Sequence, residues 1–251
     1  MMNPQPLAGK VALVTGGGGG IGSAICRRLA EAGAQVIVNY NSNAQKAEAV
    51  AAALPGENHL ALQASVTDSA ALRQMTTQVR DRYGKLDLLV NNAGITRPVP
   101  HADLDGLEDE WIDRILQTNF RGAFACMRAF KELLMAGDGG TVVNISSVAA
   151  VTGIGSNVAY CASKAAMDSM TRSLARALAP KIRVVSVSPG WVWGEYASRM
   201  EPAYIQEQIN KTPLGRIAQP EDVAEAVLAV ATTLAFSTGC IIPVDGGRPL
   251  L

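Results

Sequence analysis

Short apolar runs alternate with longer stretches of helical periodicity along almost the whole chain of 251 residues. Strands that are apolar on both faces, alternating with helices, predict a parallel sheet covered by helices on its two sides. The predicted strands are Val11–Val14, Val36–Val38, Leu60–Leu62, Leu86–Val90, Val142–Ile145, Val184–Val187 and Ile241–Val244. The predicted helices are Ile21–Ala32, Gln45–Ala53, Ala70–Tyr83, Leu107–Leu134, Tyr160–Leu178 and Glu221–Leu234. We therefore expect a doubly wound α/β sheet of about seven strands in a single domain over residues 1–251.

Charge and cysteine content exclude several classes of function. The 22 basic side chains balance the 22 acidic ones, which argues against binding to nucleic acid or to an anionic membrane surface. The apolar runs are too short to cross a bilayer, and no basic segment followed by an apolar stretch opens the chain. The four cysteines lie far apart and form no cluster with histidine, so we expect reduced thiols, no bound metal and a cytoplasmic protein.

A glycine-rich turn follows the first predicted strand and leads into the first predicted helix. Its sequence, TGGGGGIG over residues 15–22, fits two spacings: Gly17, Gly19 and Gly22, or Gly16, Gly20 and Gly22. Backbone N–H groups at a helix N-terminus bind phosphate, and glycine lets the backbone approach a pyrophosphate closely. A strand before the turn and a helix after it are the context that this motif requires. The turn therefore predicts a dinucleotide site.

The end of the second predicted strand bears on the choice of cofactor. An acidic residue about 20 residues past the glycines would bind the ribose 2′-hydroxyl of NAD and repel a 2′-phosphate. Tyr40, Asn41 and Ser42 stand there instead, with Lys46 nearby, and they offer hydrogen-bond donors but no carboxylate. NADP(H) is therefore the favoured cofactor, and NAD(H) is the alternative.

Tyr160 and Lys164 are four residues apart on a predicted helix, so their side chains share one face. An ammonium group beside a phenol favours the phenolate and lowers the pKa of the phenol, which can then exchange a proton with a carbonyl or an alcohol. Alone, such a pair is more often an ordinary pair on a helix surface. Ser147 and the segment Asn91–Gly94 follow two other predicted strands, however, and the carboxyl ends of parallel strands meet where open sheets bind ligands. Together these residues predict the site of an oxidoreductase.

This ordered set of motifs resembles the short-chain dehydrogenase/reductase family, whose sheet is of the Rossmann type. The matching residues are Thr15-Gly16-x3-Gly20-x-Gly22, Asn91-Asn92-Ala93-Gly94, Asn119, Ser147, Tyr160-x3-Lys164, Pro189-Gly190 and Asp245-Gly246-Gly247. They span nearly the whole chain in the family's order and spacing. Within the family, the segment NNAGITR at residues 91–97 is most similar to the 3-oxoacyl-[acyl-carrier-protein] reductase group. The resemblance also favours the second spacing of the glycine turn.

The resemblance implies roles for four catalytic residues and a set of cofactor contacts. Tyr160 would be the general acid or base, Lys164 would lower its pKa and hold the nicotinamide ribose, and Ser147 would fix the substrate oxygen. Asn119 would hold a water molecule that relays protons to solvent. The cofactor would be contacted by Thr15, Gly16, Gly20, Ile21, Gly22, Tyr40, Asn41, Ser42, Ser65, Val66, Asn91, Ala93, Gly94, Tyr160, Lys164, Pro189, Gly190 and Val192.

The sequence departs from the family pattern on both sides of the predicted site. Ser65 stands where the family often has an aspartate that contacts adenine, and Gly194 stands where it usually has a threonine. Trp191 and Trp193 are unusual for the group, and they either pack this region onto the core or contact substrate. The stretch Trp191–Ala218 is too long for an ordinary connection, so we expect it to be a substrate-binding loop or lid.

These features support one main interpretation and two alternatives. The first is an NADP(H)-dependent reductase of a ketone, with a 3-oxoacyl thioester or a similar β-keto compound as substrate. The alternatives are a dehydrogenase of a sugar, polyol or other secondary alcohol, and a dinucleotide-binding sensor without turnover, which the intact catalytic set disfavours. The expected partners are a small-molecule substrate, an acyl carrier protein or coenzyme A thioester, and further copies of the chain in a homotetramer. Arg128, Lys131 and Lys181 are candidates for contact with a carrier protein.

Overall fold

The computed structural model describes residues 5–194 and 197–250, and seven parallel strands form its central sheet. The strands are Val11–Val14 (β1), Gln35–Tyr40 (β2), Leu60–Gln63 (β3), Leu88–Asn91 (β4), Gly140–Ile145 (β5), Ile182–Pro189 (β6) and Ile241–Val244 (β7). Their order across the sheet is β3-β2-β1-β4-β5-β6-β7, and each neighbouring pair is parallel. The winding reverses between β1 and β4, where open sheets leave a crevice for ligands. The predicted fold class and each of the predicted strands are confirmed.

Helices cover both faces of the sheet. They are Gly20–Glu31 (α1), Ala44–Ala53 (α2), Ser69–Tyr83 (α3), Asp109–Leu116 (α4), Ala123–Met135 (α5), Ala149–Thr152 (α6), Val158–Leu178 (α7), Pro202–Asn210 (α8) and Pro220–Thr232 (α9). The prediction of one unbroken helix over Leu107–Leu134 is wrong, because a π-helical segment, Gln117–Gly122, separates α4 from α5. A π-helical turn inserts an extra residue without breaking the apolar pattern, so periodicity does not reveal it.

Two apolar layers hold these helices to the sheet. One face of the sheet packs against α1, α2 and α9 through side chains such as Ile25 and Val227. The opposite face packs against α3, α5 and α7 through Met75, Phe130 and Met167. The central strands are therefore buried on both sides, which explains their unbroken apolar sequence. This packing fixes the carboxyl ends of the strands along one edge.

The segment Trp191–Ala218, predicted to be a substrate loop or lid, includes the helix α8 among its described residues. Pro202 begins that helix at its first position, where a missing N–H costs no hydrogen bond. The two ends of the segment are joined, since Trp193 N–H donates to Ala218 O at 2.7 Å and Ala218 N–H donates to Trp191 O at 3.2 Å. Residues 195 and 196 of this segment lie outside the described residues, as do residues 1–4 and 251 of the predicted domain.

Two further features concern membranes and metals. Within residues 5–194 and 197–250, no helix has the length and hydropathy needed to span a membrane. The same residues hold no group of three or more histidine, cysteine, aspartate or glutamate side chains arranged to bind a metal ion. Cys26, Cys126 and Cys161 are buried free thiols, and Cys240 is a partly buried one.

Candidate active site

The carboxyl ends of β1 to β4 and the segment between α4 and α5 surround a cavity of about 610 Å³. Of the predicted cofactor contacts, its wall contains Gly16, Asn41, Ser42, Ser65, Val66, Ala93 and Gly94. The other lining residues were not among the predicted contacts, although Gly19, Asn92 and Ile95 belong to the predicted motifs. They are Gly19, Asn39, Ala64, Thr67, Asn92, Ile95, Arg114, Gln117 and Thr118. Most of the predicted residues follow strand ends, whereas Arg114, Gln117 and Thr118 depend on how α4 and the π-helical segment are placed.

The glycine turn between β1 and α1 forms part of this wall. Gly16 and Gly20 have φ angles of 64° and 52°, in the left-handed region that side chains disfavour. A Cβ on Gly22 would lie 2.3 Å from Gly16 O, so only glycine lets α1 approach the turn this closely. No atom lies within 4 Å of a Cβ built on Gly19 or Gly20, which leaves room in front of the first N–H groups of α1. This geometry matches the spacing of Gly16, Gly20 and Gly22.

Thr15 and Asn92 join the glycine turn to the end of β4. The Thr15 hydroxyl donates to Val90 O at 3.3 Å and accepts from the N–H groups of Asn92 and Ala93, each at 3.0 Å. The Asn92 amide in turn donates to Thr15 O at 2.9 Å and to Gly16 O at 3.1 Å. Two motifs that are far apart in sequence therefore form one hydrogen-bonded unit that shapes the cavity.

The ends of β2 and β3 supply polar groups to the cavity. Asn41 and Ser42 line it, whereas the Tyr40 side chain packs against the apolar core. β2 ends at Tyr40, so Asn41 is the first residue beyond the strand. The predicted cofactor contact of Tyr40 stays a prediction. After β3, Ser65 lines the cavity and its hydroxyl is hydrogen-bonded to that of Thr67 at 2.8 Å.

Asn91 and Ile21 also lie outside the cavity wall. Asn91 is buried, and its Nδ2 donates to Asn144 Oδ1 at 2.8 Å. Asn144 then donates to Thr171 Oγ1 at 2.8 Å, so the chain of amides links β4 to β5 and α7. The structure gives the Asn91 side chain this linking role, and its predicted contact with adenosine stays a prediction. Ile21, in the first turn of α1, packs its side chain against the core.

Pro189, Gly190 and Val192, the predicted contacts of the nicotinamide end, lie where β6 ends. Pro189 O accepts a hydrogen bond from Val148 N–H at 3.0 Å, which places it next to the residue that follows Ser147. A Cβ on Gly190 would lie 2.9 Å from a backbone atom of the chain just past β7, so glycine permits that close approach. Val192 forms an isolated parallel bridge with Ala218.

Ser147 and Tyr160 come together between the end of β5 and the first turn of α7. The Ser147 side chain lies close enough to Tyr160 to act on the pKa of its phenol. The helix begins here because Asn157 caps it, its Oδ1 accepting from Tyr160 N–H at 2.7 Å. Burial raises the pKa of Tyr160 above its usual value of 10.0, and the Ser147 side chain opposes part of that rise. The sequence led us to expect a lowered phenol pKa, but the loss of solvent outweighs the stabilising contacts.

Lys164 lies one helical turn after Tyr160 and is buried. Its Nζ donates to Ile145 O at 2.7 Å and lies 5.7 Å from the centre of the Tyr160 ring. Burial lowers the pKa of Lys164 from 10.5 to about 8, and the negative charge of Asp168, one turn further along α7, opposes this shift. The lysine is therefore mainly charged near neutral pH, with its charge close to the Tyr160 ring.

Asn119 lies in the π-helical segment and its side chain is fully buried. Its Oδ1 accepts from Ile95 N–H at 2.8 Å, and its Nδ2 donates to Ile95 O at 3.0 Å and to Ser163 Oγ at 3.1 Å. A Cβ on Gly94 would lie 3.3 Å from Asn119 Oδ1 and 3.8 Å from Lys164 Nζ, so glycine brings these elements together. The side chain therefore fastens the loop after β4 to α7, and the water relay through Asn119 stays a prediction.

Two residues around the site were missed by the sequence-based reasoning. Asn157 precedes Tyr160 by three residues, which is a recognisable N-cap position, so a signal for it was present. Arg114 lines the cavity from α4 and stacks on the Trp111 ring at 4.6 Å. No motif marks Arg114, because its position depends on the irregular π-helical segment that follows.

Comparison with known families and solved structures gives a consistent result. A family model described as enoyl-(acyl carrier protein) reductase matches residues 16–248. The fold is similar, with a TM-score of 0.89 and 33% sequence identity, to a crystal structure assigned as a short-chain dehydrogenase/reductase from Burkholderia xenovorans. That similarity covers 96% of this chain and 98% of the other.

Three relatives indicate the range of activities among similar chains. The chain is 40% identical over 245 residues to a protein of Streptomyces violaceoruber assigned as ketoacyl reductase 2 of the granaticin polyketide synthase, covering 96% of each. It is 36% identical over 242 residues to the 3-oxoacyl-[acyl-carrier-protein] reductase FabG of Staphylococcus aureus, covering 95% of this chain and 97% of that one. It is 35% identical over 245 residues to a 3α-hydroxysteroid dehydrogenase of Mediterraneibacter gnavus, covering 96% and 97%.

Proposed function

The chain belongs to the short-chain dehydrogenase/reductase family of oxidoreductases, and from that premise we propose that it is an NADP(H)-dependent ketone reductase. Its substrate is a 3-oxoacyl thioester or a similar β-keto compound, which it reduces to the secondary alcohol. One observation carries the proposal: Ser147 and Tyr160 come together between β5 and α7, and the buried Lys164 Nζ lies 5.7 Å from the centre of the Tyr160 ring.

The two hydroxyls provide a carbonyl oxygen with two hydrogen-bond donors. A ketone oxygen between Ser147 and Tyr160 accepts from both, which polarises the carbonyl and orients its carbon. Ala149 N–H donates to Ser147 Oγ at 3.2 Å, so that lone pair is used and the serine proton is free to turn toward the substrate. Tyr160 then transfers its phenolic proton to the carbonyl oxygen as the ketone becomes an alcohol.

Lys164 stabilises the phenolate that this transfer leaves behind. Its ammonium group is held by Ile145 O and directed at the tyrosine ring, in surroundings where charges interact more strongly than in water. The raised pKa of Tyr160 keeps the phenol protonated near neutral pH. A protonated phenol beside a charged lysine is the state that reduction of a ketone requires, which supports the reductive direction.

The adjacent cavity fits a dinucleotide. The open space in front of Gly19 and Gly20, at the N-terminus of α1, suits a pyrophosphate. At the end of β2, Asn41 and Ser42 offer neutral donors where a carboxylate would repel a 2′-phosphate, which supports NADP(H) over NAD(H). The nicotinamide group supplies the hydride when the cofactor is bound.

The β-keto substrate is proposed from the activities named for two relatives, a ketoacyl reductase and a 3-oxoacyl-[acyl-carrier-protein] reductase. The partner that presents the substrate is then an acyl carrier protein or coenzyme A. Arg128 and Lys131 on α5, and Lys181 before β6, are the proposed carrier contacts. Arg128 is partly engaged already, since it donates to Ser69 Oγ at 3.2 Å.

A second candidate is a dehydrogenase of a secondary alcohol, such as a steroid, sugar or polyol. The 3α-hydroxysteroid dehydrogenase relative favours it. So do Val151 and Ile154, which follow Ser147 closely in sequence and are 75% and 76% exposed, because an apolar ring system could cover them.

We also propose a homotetramer. Phe124 on α5 and Phe236 after α9 are exposed aromatic side chains, and Phe236 has no appreciable burial. Exposed aromatic rings of this kind are typical of surfaces that contact another protein. Sedimentation velocity of the purified protein measures the number of copies directly.

A substrate panel followed at the nicotinamide absorbance, with NADPH and NADH in parallel, tests the proposed function. We expect turnover of short 3-oxoacyl thioesters, and an NADPH affinity at least about tenfold above that of NADH. Tyr160→Phe removes the proton donor and keeps the ring, so turnover falls by about 10²–10⁴-fold while NADPH binding is unchanged.

Tyr83→Phe is the matched control, because that hydroxyl donates to Asn58 O at the protein surface, away from the cavity. It should leave turnover at the wild-type level. Wild-type activity in Tyr160→Phe contradicts the catalytic assignment, and tighter binding of NADH contradicts the cofactor assignment. Turnover of alcohols with no turnover of β-keto thioesters favours the second candidate.

A further inference from the structure

Asn157 connects the catalytic helix to the loop that follows β4. Its side chain is fully buried and both ends of its amide are used. The oxygen accepts from Tyr160 N–H at 2.7 Å, which caps α7 at the turn that carries the catalytic phenol. The nitrogen donates to Arg97 O at 2.7 Å and to Thr96 Oγ1 at 3.3 Å. One amide thus holds Tyr160 and two residues of the loop at fixed separations.

Asn119 holds the preceding residue of the same loop. It bonds both the N–H and the carbonyl of Ile95, and it reaches α7 through Ser163 Oγ. Ser163 Oγ donates to Tyr160 O at 2.7 Å, so this second connection also ends at the catalytic tyrosine. Three consecutive loop residues, 95 to 97, are therefore fastened to α7 by two buried asparagines. Both amides have 0% exposure, so water does not compete for these hydrogen bonds.

Further contacts hold the same loop against the segment before α7. Val99 N–H donates to Ser156 O at 2.8 Å, and the hydroxyls of Thr96 and Ser156 are hydrogen-bonded to each other. A ring nitrogen of His101 is hydrogen-bonded to Gly155 O at 3.1 Å. A Cβ on Gly155 would lie 3.3 Å from Tyr160 Cδ1, so this segment lies against the catalytic ring. A shift of the loop would therefore displace the Tyr160 ring and its hydroxyl.

We propose that Asn157 is a positioning residue that fixes Tyr160 relative to loop 95–101 and so sets the distance from the phenol to the substrate carbonyl. This inference rests on the proposed function. The position requires an acceptor toward the helix N–H and a donor toward Arg97 O, and a side-chain amide supplies both. Serine supplies the acceptor alone. Aspartate supplies the acceptor but directs a second oxygen at the carbonyl of Arg97.

Asn157→Ser and Asn157→Asp separate positioning from capping, because both residues are good N-caps and both lose the donor to Arg97 O. We expect kcat/KM for the ketone to fall about 10–100-fold in each variant, chiefly through kcat, with the KM for NADPH unchanged. If Asn157 only capped α7, Asn157→Asp would keep the wild-type kcat/KM. The aspartate would still cap the helix, and its negative charge is favourable at a helix N-terminus.

Thr96→Val removes the hydroxyl that accepts from Asn157 Nδ2 on the exposed loop, and it leaves the cap of α7 intact. If Thr96 and Asn157 act through one connection, the double variant Thr96→Val/Asn157→Ser should lose no more activity than Asn157→Ser alone. Asp68→Ala is the control for loss of a cap elsewhere, since Asp68 Oδ1 accepts from Ala70 N–H at 2.7 Å at the start of α3. It should lower the melting temperature and leave kcat/KM unchanged.

Hydrogen exchange of the cofactor-free protein gives a readout that does not depend on turnover. In Asn157→Ser, amides of residues 95–101 should exchange about tenfold faster, while those of the first turns of α7 keep their protection. Wild-type kcat/KM with unchanged exchange in that loop overturns the inference, as does a loss that Asp68→Ala reproduces. A wild-type protein that reduces no ketone overturns the proposed function, and the exchange measurement still decides whether Asn157 holds the loop.

Discussion

The two sides of the active-site cleft are held in place by different kinds of contact. On the catalytic side, Asn119, Asn157 and Lys164 are buried, and each bonds to backbone groups of a neighbouring element. On the substrate side, segment 193–217 is joined at its ends by the backbone bridge between Val192 and Ala218. Buried hydrogen bonds fix distances, which proton transfer needs. The segment also has anchors in its middle, since Arg248 donates to Gln208 O at 3.1 Å and both Gln208 and Thr212 are buried. Exposed side chains such as Leu214 lie between these anchors, and exposed loop positions are where binding sites vary most.

The base of the substrate side is nevertheless well defined. A Cβ on Gly246 would lie 2.6 Å from the side chain of Thr212, and one on Gly247 would lie 3.1 Å from Pro213. The glycines after β7 therefore let residues 212 and 213 approach the sheet closely. The next residue, Leu214, has a side chain that is 72% exposed, although its N–H still donates to Gly246 O at 3.1 Å. The two sides therefore differ in side-chain exposure: fully buried amides hold the catalytic side, whereas the substrate side combines buried anchors with exposed side chains.

The largest effect that the comparison predicts is a pH limit set by Lys164. Because burial lowers the pKa of Lys164 to about 8, its charge disappears as the pH rises through that value. Tyr160 stays protonated there, since its own pKa is raised. We expect kcat/KM for ketone reduction to be level near pH 7 and to fall about tenfold per pH unit above pH 8. The measurement is kcat/KM for ketone reduction as a function of pH, with the NADPH affinity determined at each pH in parallel.

Lys164→Met and Asp168→Asn sharpen that test. Lys164→Met should lower kcat/KM by about 10²–10⁴-fold and remove the limit near pH 8. Asp168→Asn should move the limit to lower pH, because the carboxylate opposes the lowering of the lysine pKa. The folded chain binds fewer protons at Lys164 than the unfolded chain between pH 8 and 10.5, so this residue's contribution to stability rises across that window. A wild-type profile that is level to pH 10 contradicts the assignment.

A pair of glycine substitutions compares the two sides directly. Gly22→Ala places a Cβ 2.3 Å from Gly16 O, and a backbone atom must move to accommodate it. We expect a loss of unfolding free energy of roughly 1–3 kcal/mol together with weaker NADPH binding. Among the described residues, no atom lies within 4 Å of a Cβ built on Gly194, so Gly194→Ala should leave stability unchanged or slightly higher. Urea unfolding of both variants measures the two changes in unfolding free energy. Equal losses would show that the substrate side is packed as tightly as the glycine turn.

Sequence predicts most of the fold because buried parallel strands leave an unbroken apolar signal. It also points to residues that the structure brings together, since Ser147, Tyr160 and Lys164 stand at motif positions and meet between β5 and α7. Their catalytic roles stay a prediction. The π-helical segment escapes prediction because an extra residue in a helical turn keeps the apolar pattern nearly intact. Helix α8 escapes because Pro202, which favours a loop in isolation, is also favoured at the first position of a helix.

Side-chain direction and solvent exposure account for the remaining differences. Tyr40 and Asn91 belong to motifs that suggest cofactor contact, and the structure shows in addition that the Tyr40 side chain packs on the core and that the Asn91 amide bonds to Asn144. The pKa of Tyr160 depends on a balance between burial and nearby donors. The spacing of four residues between Tyr160 and Lys164 indicates a nearby donor but does not show how deeply the phenol is buried. Motifs therefore identify which residues meet at the site, while the environment of each residue follows from packing that no local pattern records.

The smallest predicted effect concerns the outer support of the substrate side. Arg216 donates to both Asp222 oxygens, at 2.6 and 2.7 Å, and Asp222 also accepts from Gln219 N–H at the start of α9. The hydrogen bonds with Arg216 lower the pKa of Asp222 below its usual 3.8. The carboxylate therefore contributes stability above pH 4, and that contribution is lost as the pH falls through the lowered value.

Asp222→Asn keeps an oxygen for Gln219 N–H and removes the charge. Since the pair is open to solvent, we expect the variant to lose less than about 1 kcal/mol of unfolding free energy at pH 7. The loss should shrink in high salt, and it should shrink as the pH falls below 3.8 through the lowered pKa of the wild-type carboxylate. Urea unfolding across this pH range measures it. A loss as large as that of Gly22→Ala, or one that does not decrease as the pH falls, would show that the substrate side is supported as firmly as the catalytic side.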